Sequence, residues 1–138
     1  MALTLLSSKR AGHPLLRAEL SIVLVDNDKM HALNKQYRGV DKTTDVLSFP
    51  MYNTMREFPK EGDFLLGDVI INTECIYSQL DPRQSTEAKT AEAQKQLRIL
   101  LVHALLHLVG FDHEIDGQHD RLMKKKEAEL LNALKKMD

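Results

Sequence analysis

The sequence contains no tryptophan, one cysteine and no long apolar run among its 138 residues. The single cysteine, Cys75, cannot form an internal disulfide, which is typical of the reducing cytoplasm, and we interpret it as a small buried apolar residue rather than a nucleophile. The longest apolar stretch, residues 97–109, is shorter than the roughly 18 residues that span a bilayer and contains His103 and His107. The first residues, MALTLLSSKRAGHP, lack the basic start and long apolar core of a secretory signal. We therefore expect a cytoplasmic protein with no membrane partner.

Neither sign of charge dominates the chain, because it contains 19 basic and 20 acidic residues and its net charge is −1. Non-specific affinity for nucleic acid depends on neutralising phosphates, so this balance excludes a general nucleic-acid binder. If the chain handles RNA, its positive charge must be local or a larger partner must deliver the substrate. The lysines at 124–126 and 135–136 alternate with Glu127 and Glu129, which predicts the solvated face of a helix rather than a basic tail.

Hydrophobic periodicity predicts one α+β domain without repeats or an interdomain linker. The predicted strands cover residues 18–26, 45–49 and 64–72, and the predicted helices cover residues 28–38, 73–80, 86–109 and 117–136. Gly39 is expected to end the first helix, and Gly67 inside a strand indicates a bulge or a close backbone approach. Residues 51–63 are predicted to form a polar loop. The length is sufficient for a real hydrophobic core.

The helix predicted over residues 86–109 begins polar and becomes apolar on nearly all sides (LRILLVHALLHLV). A helix that is apolar all round is a buried one. We therefore expect a small mixed sheet packed against helices, with this helix at the centre of the domain.

Three histidines in this region form a candidate metal site. On an ideal helix His103 and His107 project only about 40° apart, which allows two imidazoles to share one ion. Gly110 can end the helix, and the chain can then return His113 as a third ligand. Three protein ligands leave a fourth position for water, as in catalytic zinc sites.

The alternative is that each histidine is a core residue hydrogen-bonded to a neighbour. Two histidines on one buried face make this alternative less favourable, because each buried donor or acceptor left without a partner costs about 1–3 kcal/mol. The remaining histidines lie outside the pattern, although His119 is near enough in sequence to be considered as a ligand. Orientation of the imidazoles is predicted to come from three nearby carboxylates, those of Asp112, Glu114 and Asp116. The other two histidines are His13 and His31.

The run HALLHLVGFDH has the ligand spacing of the metzincin proteases, H-E-x-x-H-x-x-G-x-x-H. The glutamate that serves those enzymes as general base is Ala104 here. Without that carboxylate, peptide hydrolysis by the usual route lacks its proton acceptor, so we do not expect a peptidase.

The same run closely resembles the signature of the YbeY family of metal-dependent endoribonucleases, H-G-x-L-H-L-x-G-Y-D-H, with Phe111 at the aromatic position. Residues 34–50, NKQYRGVDKTTDVLSFP, resemble the family segment Y-R-x-x-D-x-x-T-[DN]-V-L-S-F-P. Residues 65–71, LLGDVII, resemble its segment L-G-D-[IL]-x-I, and residues 123–127 fit its final helix. Family members usually carry an extra strand and helix before the strand matched by residues 18–26, so we expect that N-terminal helix to be shortened or absent.

The resemblance implies a single domain over residues 1–138 that cleaves single-stranded RNA. It implies a role in maturation of the 3′ end of 16S-type rRNA and in ribosome quality control. The implied partners are rRNA, the small ribosomal subunit and ribosome-associated proteins, with no DNA. The implied cofactor is one zinc ion held by His103, His107 and His113, with nickel or another divalent metal as an alternative.

The resemblance also implies that Arg38 and His103 are catalytic and that Arg38 contacts the substrate. Zinc lowers the pKa of bound water towards 7, so a protein base is not required, and a guanidinium suits the charge that builds on a phosphate. From the residues alone, Arg38 is better interpreted as a charge that complements the end of a helix, and only the resemblance favours the catalytic role. Three further residues match family segments and are expected to shape the cleft as turn and sheet-edge residues: Asp45, Ser48 and Asp68.

Two other functions stay open on the sequence. One is metal-dependent hydrolysis of a different substrate, because three metal-binding histidines do not by themselves specify RNA as the substrate. The other is a ribosome-associated module whose metal only stabilises the fold.

Overall fold

A computed structural model describes residues 5–6, 16–109, 121, 124–125 and 127–132. The strands are β1 (Leu5–Leu6), β2 (Leu16–Val25), β3 (Val46–Pro50) and β4 (Gly62–Asn72). The helices are α1 (Asn27–Arg38), α2 (Thr73–Ser78) and α3 (Thr86–Leu108), with one 3₁₀ turn at Met55–Glu57. Residues 127–132 are also helical, while the rest of the helix predicted for residues 117–136 lies largely outside the described residues. The short strand β1 was not predicted.

The four strands form one mixed sheet in the order β1-β2-β4-β3. Strands β2 and β4 run parallel, and the other two neighbouring pairs are antiparallel. The central strand β4 is the most buried, with Phe64, Leu66, Val69 and Ile71 in the core. The predicted α+β class, a small mixed sheet with helices, is confirmed.

Gly67 lies beside a β-bulge and is also the point at which other backbone and side-chain atoms approach β4 closely, so both features that the sequence indicated are present. The register between β2 and β4 shifts at Glu19 and Leu20, which leaves Leu66 as the extra residue on β4. At Gly67 the backbone φ is 156°, and a Cβ atom there would collide with the carbonyl oxygen of Phe49 and lie 2.9 Å from Leu108 Cδ2. Only glycine lets β3 and α3 pack this closely on β4.

Helices α1 and α3 cover opposite faces of the sheet. Along β3, Val46 packs into the core cluster that contains Ala104 of α3. Successive strand residues point to opposite faces, so Phe49 points away from α3, and its ring meets Tyr37 of α1 at 5.3 Å between centroids. Strand β3 is thus an edge strand between two helical layers.

The second half of α3 packs on two sides. Ala104, Leu105 and Leu108 join the main core against the sheet, whereas Val102 and Leu106 pack against two leucines of the helical residues 127–132. Those leucines are Leu130 and Leu131. Within the described part of the chain, no helix is long and apolar enough to cross a membrane.

The expectation of a simple polar loop over residues 51–63 was wrong in two respects. Strand β4 already begins at Gly62. The segment also carries Tyr52 and Phe58, whose rings pack edge-on at 5.5 Å and both contact Phe64 of β4. Aromatic burial therefore fixes this connection to the core.

Asn72, the last residue of β4, joins three segments and is fully buried. Its side-chain nitrogen donates to Asn27 Oδ1 at 2.7 Å, and to Thr43 Oγ1 and the carbonyl of Thr44 at 3.2 Å each. Its side-chain oxygen accepts from the backbone N–H of Cys75 at 3.1 Å and so caps α2. One amide thereby fixes the start of α1, the residues before β3 and the start of α2.

We predict that Asn72→Ala lowers the free energy of unfolding by about 2–4 kcal/mol, because it removes a helix cap and leaves buried hydrogen-bonding groups without a partner. Ser85→Ala is the matched control, since Ser85 also caps a helix, accepting from Ala88 N at 3.2 Å, but at an exposed position. That control should cost about 1 kcal/mol. Chemical denaturation of both variants tests this, and equal costs would contradict the role assigned to Asn72.

Candidate metal centre and the cleft around it

His103 and His107 lie one turn apart on α3, and both are half-buried. Their rings are 4.5 Å apart between centroids at an interplanar angle of 77°. The two Nε2 atoms face one another at 3.0 Å. The helix therefore brings the same ring nitrogen of each imidazole to one point.

Glu127, in the helical residues 127–132, contacts the other nitrogen of His103. The distance from His103 Nδ1 to Glu127 Oε1 is 3.0 Å, with the two side chains 35% and 26% exposed. A carboxylate only accepts hydrogen bonds, so the proton of a neutral His103 ring belongs on Nδ1 and the lone pair on Nε2. This is the tautomer and the carboxylate partner typical of metal-binding histidines.

The spacing of the two nitrogens fits a shared ion. Two nitrogens bound at 2.0–2.1 Å to a tetrahedral zinc lie about 3.3 Å apart, close to the 3.0 Å between the Nε2 atoms. The predicted third ligand, His113, lies outside the described residues, as do Gly110, Asp112, Glu114, Asp116 and His119. Among the residues that are described, no group of three or more His, Cys, Asp or Glu side chains could hold a metal ion.

The two histidines form one wall of a cleft of about 580 Å³. The opposite wall comes from residues 44–48 and Pro50, which lie before and along β3, and Ala104 lies between the histidines. Arg38 also lines the cleft. The structure thus places Arg38 in the same cleft as the histidine pair, although Arg38 and His103 are 65 positions apart in the sequence.

Local structure explains how Arg38 reaches the cleft. Helix α1 ends where predicted, with Gly39 in the left-handed conformation at φ 70° and its N–H donating to the carbonyl of Lys35 at 3.1 Å. The preceding residue, Tyr37, packs on Phe49 of β3. Because β3 is the edge of the sheet, the exposed side chain of Arg38 can extend past it towards α3.

The other residues expected to shape the cleft divide into two groups. Asp45 and Ser48 line it, as predicted. Asp68 does not, because it lies on β4 opposite Phe49 and is half-buried within the sheet. His31 lies on the exposed side of α1, where its Nε2 is 2.7 Å from Asp41 Oδ1.

Cys75 is half-buried at the start of α2. Burial raises the pKa of its thiol, the charge of Asp45 raises it further, and a 3.6 Å contact from Gln79 lowers it. The thiol is therefore protonated at neutral pH, which favours a packing role over a nucleophilic one.

The comparisons with known proteins agree over most of the chain. The family model described as endoribonuclease YbeY matches residues 3–135. The endoribonuclease YbeY of Aliarcobacter butzleri is 35% identical over 130 residues, covering 94% of this chain and 83% of the relative. That of Pelotomaculum thermopropionicum is 42% identical over 118 residues, covering 85% and 72%. This chain belongs to the YbeY endoribonuclease family.

A solution structure of a Thermotoga maritima protein is also similar, with 25% identity and a TM-score of 0.49 over 81% of this chain and 65% of that one. Membership of the YbeY family makes the protein a hydrolase that acts on RNA. The buried position of Ala104, 1% exposed within the main core, agrees with this assignment. In this YbeY-family chain a methyl group packs where the metzincins carry their general base.

Glu127 is a candidate site residue that the sequence analysis missed, and its assignment to a solvated helix face was wrong. Lys124, Lys125 and Glu129 are exposed as expected, but Glu127 is partly buried against His103. The signal was present in the helical spacing, since residues three and four positions further on are the leucines that pack against α3. Glu127 therefore shares the inward face of its helix.

We predict that Glu127→Ala weakens zinc binding about 10–100-fold, because His103 loses the carboxylate that fixes its tautomer and ring orientation. Glu129→Ala, a change at an exposed position of the same helix, is the control and should leave the affinity near that of the parent. Competition with a zinc-binding dye measures both. An unchanged affinity in Glu127→Ala would remove Glu127 from the site.

Proposed function

We propose that this protein is a metal-dependent endoribonuclease that cuts single-stranded RNA in the cleft between α3 and β3. The proposal assigns His103, His107 and His113 to one divalent ion, zinc by preference, and Arg38 to the scissile phosphate. The observation that carries it is the presence of Arg38 and the histidine pair in one cleft. The two groups come from helices on opposite faces of the sheet.

The chain's own residues prepare the ion-binding site. Glu127 holds His103 in the tautomer that presents Nε2, and the one-turn spacing presents Nε2 of His107 beside it. When bound, a zinc-type ion lowers the pKa of water in its open position towards 7 and polarises a phosphoryl oxygen. Nickel or another divalent ion would serve with the same ligands. No carboxylate at position 104 is required.

Arg38 supplies the second positive charge. Its guanidinium presents parallel N–H donors that match two phosphate oxygens, and it carries its charge at every physiological pH. Fixed donors near a developing charge stabilise a transition state more than they stabilise the substrate. Asp45 lies in the same cleft and repels phosphates, which restricts where the phosphate can bind.

The proposal extends to the role implied by the family resemblance. We propose that the domain spanning residues 1–138 acts in the cytoplasm on rRNA, in maturation of the 3′ end of small-subunit rRNA and in ribosome quality control. The net charge of −1 supports substrate delivery by the small ribosomal subunit or its associated proteins rather than non-specific electrostatic capture of RNA.

We predict one divalent metal ion per chain, and we predict that zinc affinity falls as the pH falls below about 6. Neutral imidazole is the ligating form, and histidine titrates near pH 6.5 in general, so protons compete for the ligands. Elemental analysis and zinc titrations between pH 7.5 and 5 test this. A folded protein that takes up no zinc, or an affinity flat across that range, would exclude the histidine site.

Chelation separates an enzyme from a module with a structural metal. We expect RNA cleavage to be lost while the circular dichroism spectrum stays native. Unfolding on chelation would favour the structural alternative.

We predict that Arg38→Ala reduces cleavage of single-stranded RNA by roughly 10²–10³-fold, as expected for loss of a preorganised donor, with zinc content unchanged. Lys35→Ala is the matched control, since Lys35 is also a basic residue in the last turn of α1 and is exposed beside Asp41. If Arg38 only complements the helix dipole, both variants should lose about 0.3–1 kcal/mol of stability and keep their turnover. Turnover measured on metal-replete protein decides between these outcomes.

A further inference from the structure

The free edge of β3 forms part of the cleft wall opposite the histidines. Strand β3 is the last strand of the sheet, and in the part of the chain that the structure describes no strand pairs with its other edge. Val46, Ser48 and Pro50 all line the cleft. An edge strand presents main-chain donors and acceptors as well as side chains.

The register determines which main-chain groups of β3 point outward from the sheet. The N–H of Asn72 donates to the carbonyl of Asp45, and the N–H of Met51 donates to the carbonyl of Leu66, each at 2.9 Å. In an antiparallel pair, residues that bond to the partner strand alternate with residues that do not. With Val46 opposite Ile71 and Ser48 opposite Val69, the N–H and C=O groups of Val46 and Ser48 point away from β4.

Pro50 follows the same alternation as Val46 and Ser48, so its main-chain groups also point away from β4. Its missing N–H would also have pointed away from β4, so the proline removes no bond from the sheet. The outer edge of β3 therefore offers two N–H donors, from Val46 and Ser48, each accompanied by its own carbonyl. Two residues along a strand span about 6.7 Å, which is comparable to the separation of neighbouring phosphates in an extended nucleic-acid strand.

This pattern suits RNA better than DNA. A ribose 2′-hydroxyl can donate to a carbonyl, whereas the phosphate oxygens only accept, so an RNA backbone alternates acceptors with a donor that DNA lacks. We propose that the outer edge of β3 binds the backbone of a single RNA strand, with the N–H groups of Val46 and Ser48 on phosphate oxygens and their carbonyls on 2′-hydroxyls. This inference rests on the proposed function of the same cleft and assigns its selectivity for RNA to main-chain groups.

The charges of the cleft support directional recognition of this kind. Among the described residues that line the cleft, Arg38 is the one arginine or lysine, and Asp45 lies in the same cleft with the opposite charge. The chain as a whole carries a net charge of −1. Hydrogen bonds placed at fixed positions would add affinity and register to what one arginine and a bound ion supply.

The test measures binding of a short fluorescent single-stranded RNA to zinc-loaded protein, at a temperature and time at which gels show the RNA intact. Ser48→Pro removes one outward N–H without removing a bond of the sheet, and Ser48→Ala removes the hydroxyl alone. We expect Ser48→Pro to bind RNA about tenfold more weakly than Ser48→Ala, as for loss of a hydrogen bond to a charged group. Equal affinities in two folded variants would overturn the proposal.

A second measurement needs no variant. The parent should bind RNA at least several-fold more tightly than DNA of the same sequence, and single 2′-deoxy substitutions should weaken binding at neighbouring positions of the oligonucleotide. If Ser48→Pro fails to fold, this comparison decides alone. Equal binding of RNA and DNA, or no binding of RNA, overturns the proposal.

The two proposals fail in different ways. Binding that depends on the 2′-hydroxyl without metal-dependent cleavage would exclude the enzyme and keep the role of β3. Cleavage with no preference for RNA in binding would keep the enzyme and exclude the role of β3.

Discussion

The buried amide of Asn72 is the contact on which the geometry of the cleft depends. It ends the central strand β4 and holds Asn27, where α1 begins, together with Thr43 and Thr44, which lead into β3. Arg38 comes from the far end of that helix, and the wall opposite the histidines is β3 itself. The side chain of Asn72 thus fixes the first residues of α1 and the residues that lead into β3. A buried polar group with every hydrogen bond made also specifies one arrangement where apolar packing would tolerate several.

The sequence predicted well those features whose causes are local. Gly39 ends α1 as predicted, because a glycine in the left-handed conformation lets the last turn satisfy its backbone groups locally. The apolar surface of α3 and the small mixed sheet followed from periodicity. Gly67 was flagged correctly because a glycine within a strand has few structural explanations.

The features that were missed or misread depend on contacts between distant segments. Glu127 was assigned to a solvated face because its neighbours are lysines, yet the packing of Leu130 and Leu131 turns it towards His103. The main-chain groups at the edge of β3 cannot be read from residue types, since every residue except proline would present the same N–H and C=O groups at positions 46 and 48. Asp68 matched a family segment, but its position on the central strand keeps it away from the cleft.

The close packing at Gly67 couples the stability of this protein to its chemistry. Leu108, which touches the position where a side chain would begin, is the neighbour of His107 on α3. A methyl group there would have to displace the backbone of β3 at Phe49, which belongs to one wall of the cleft, and would press on the side chain of Leu108 beside His107. A substitution at this position therefore alters the wall of the cleft formed by β3 together with the stability of the sheet.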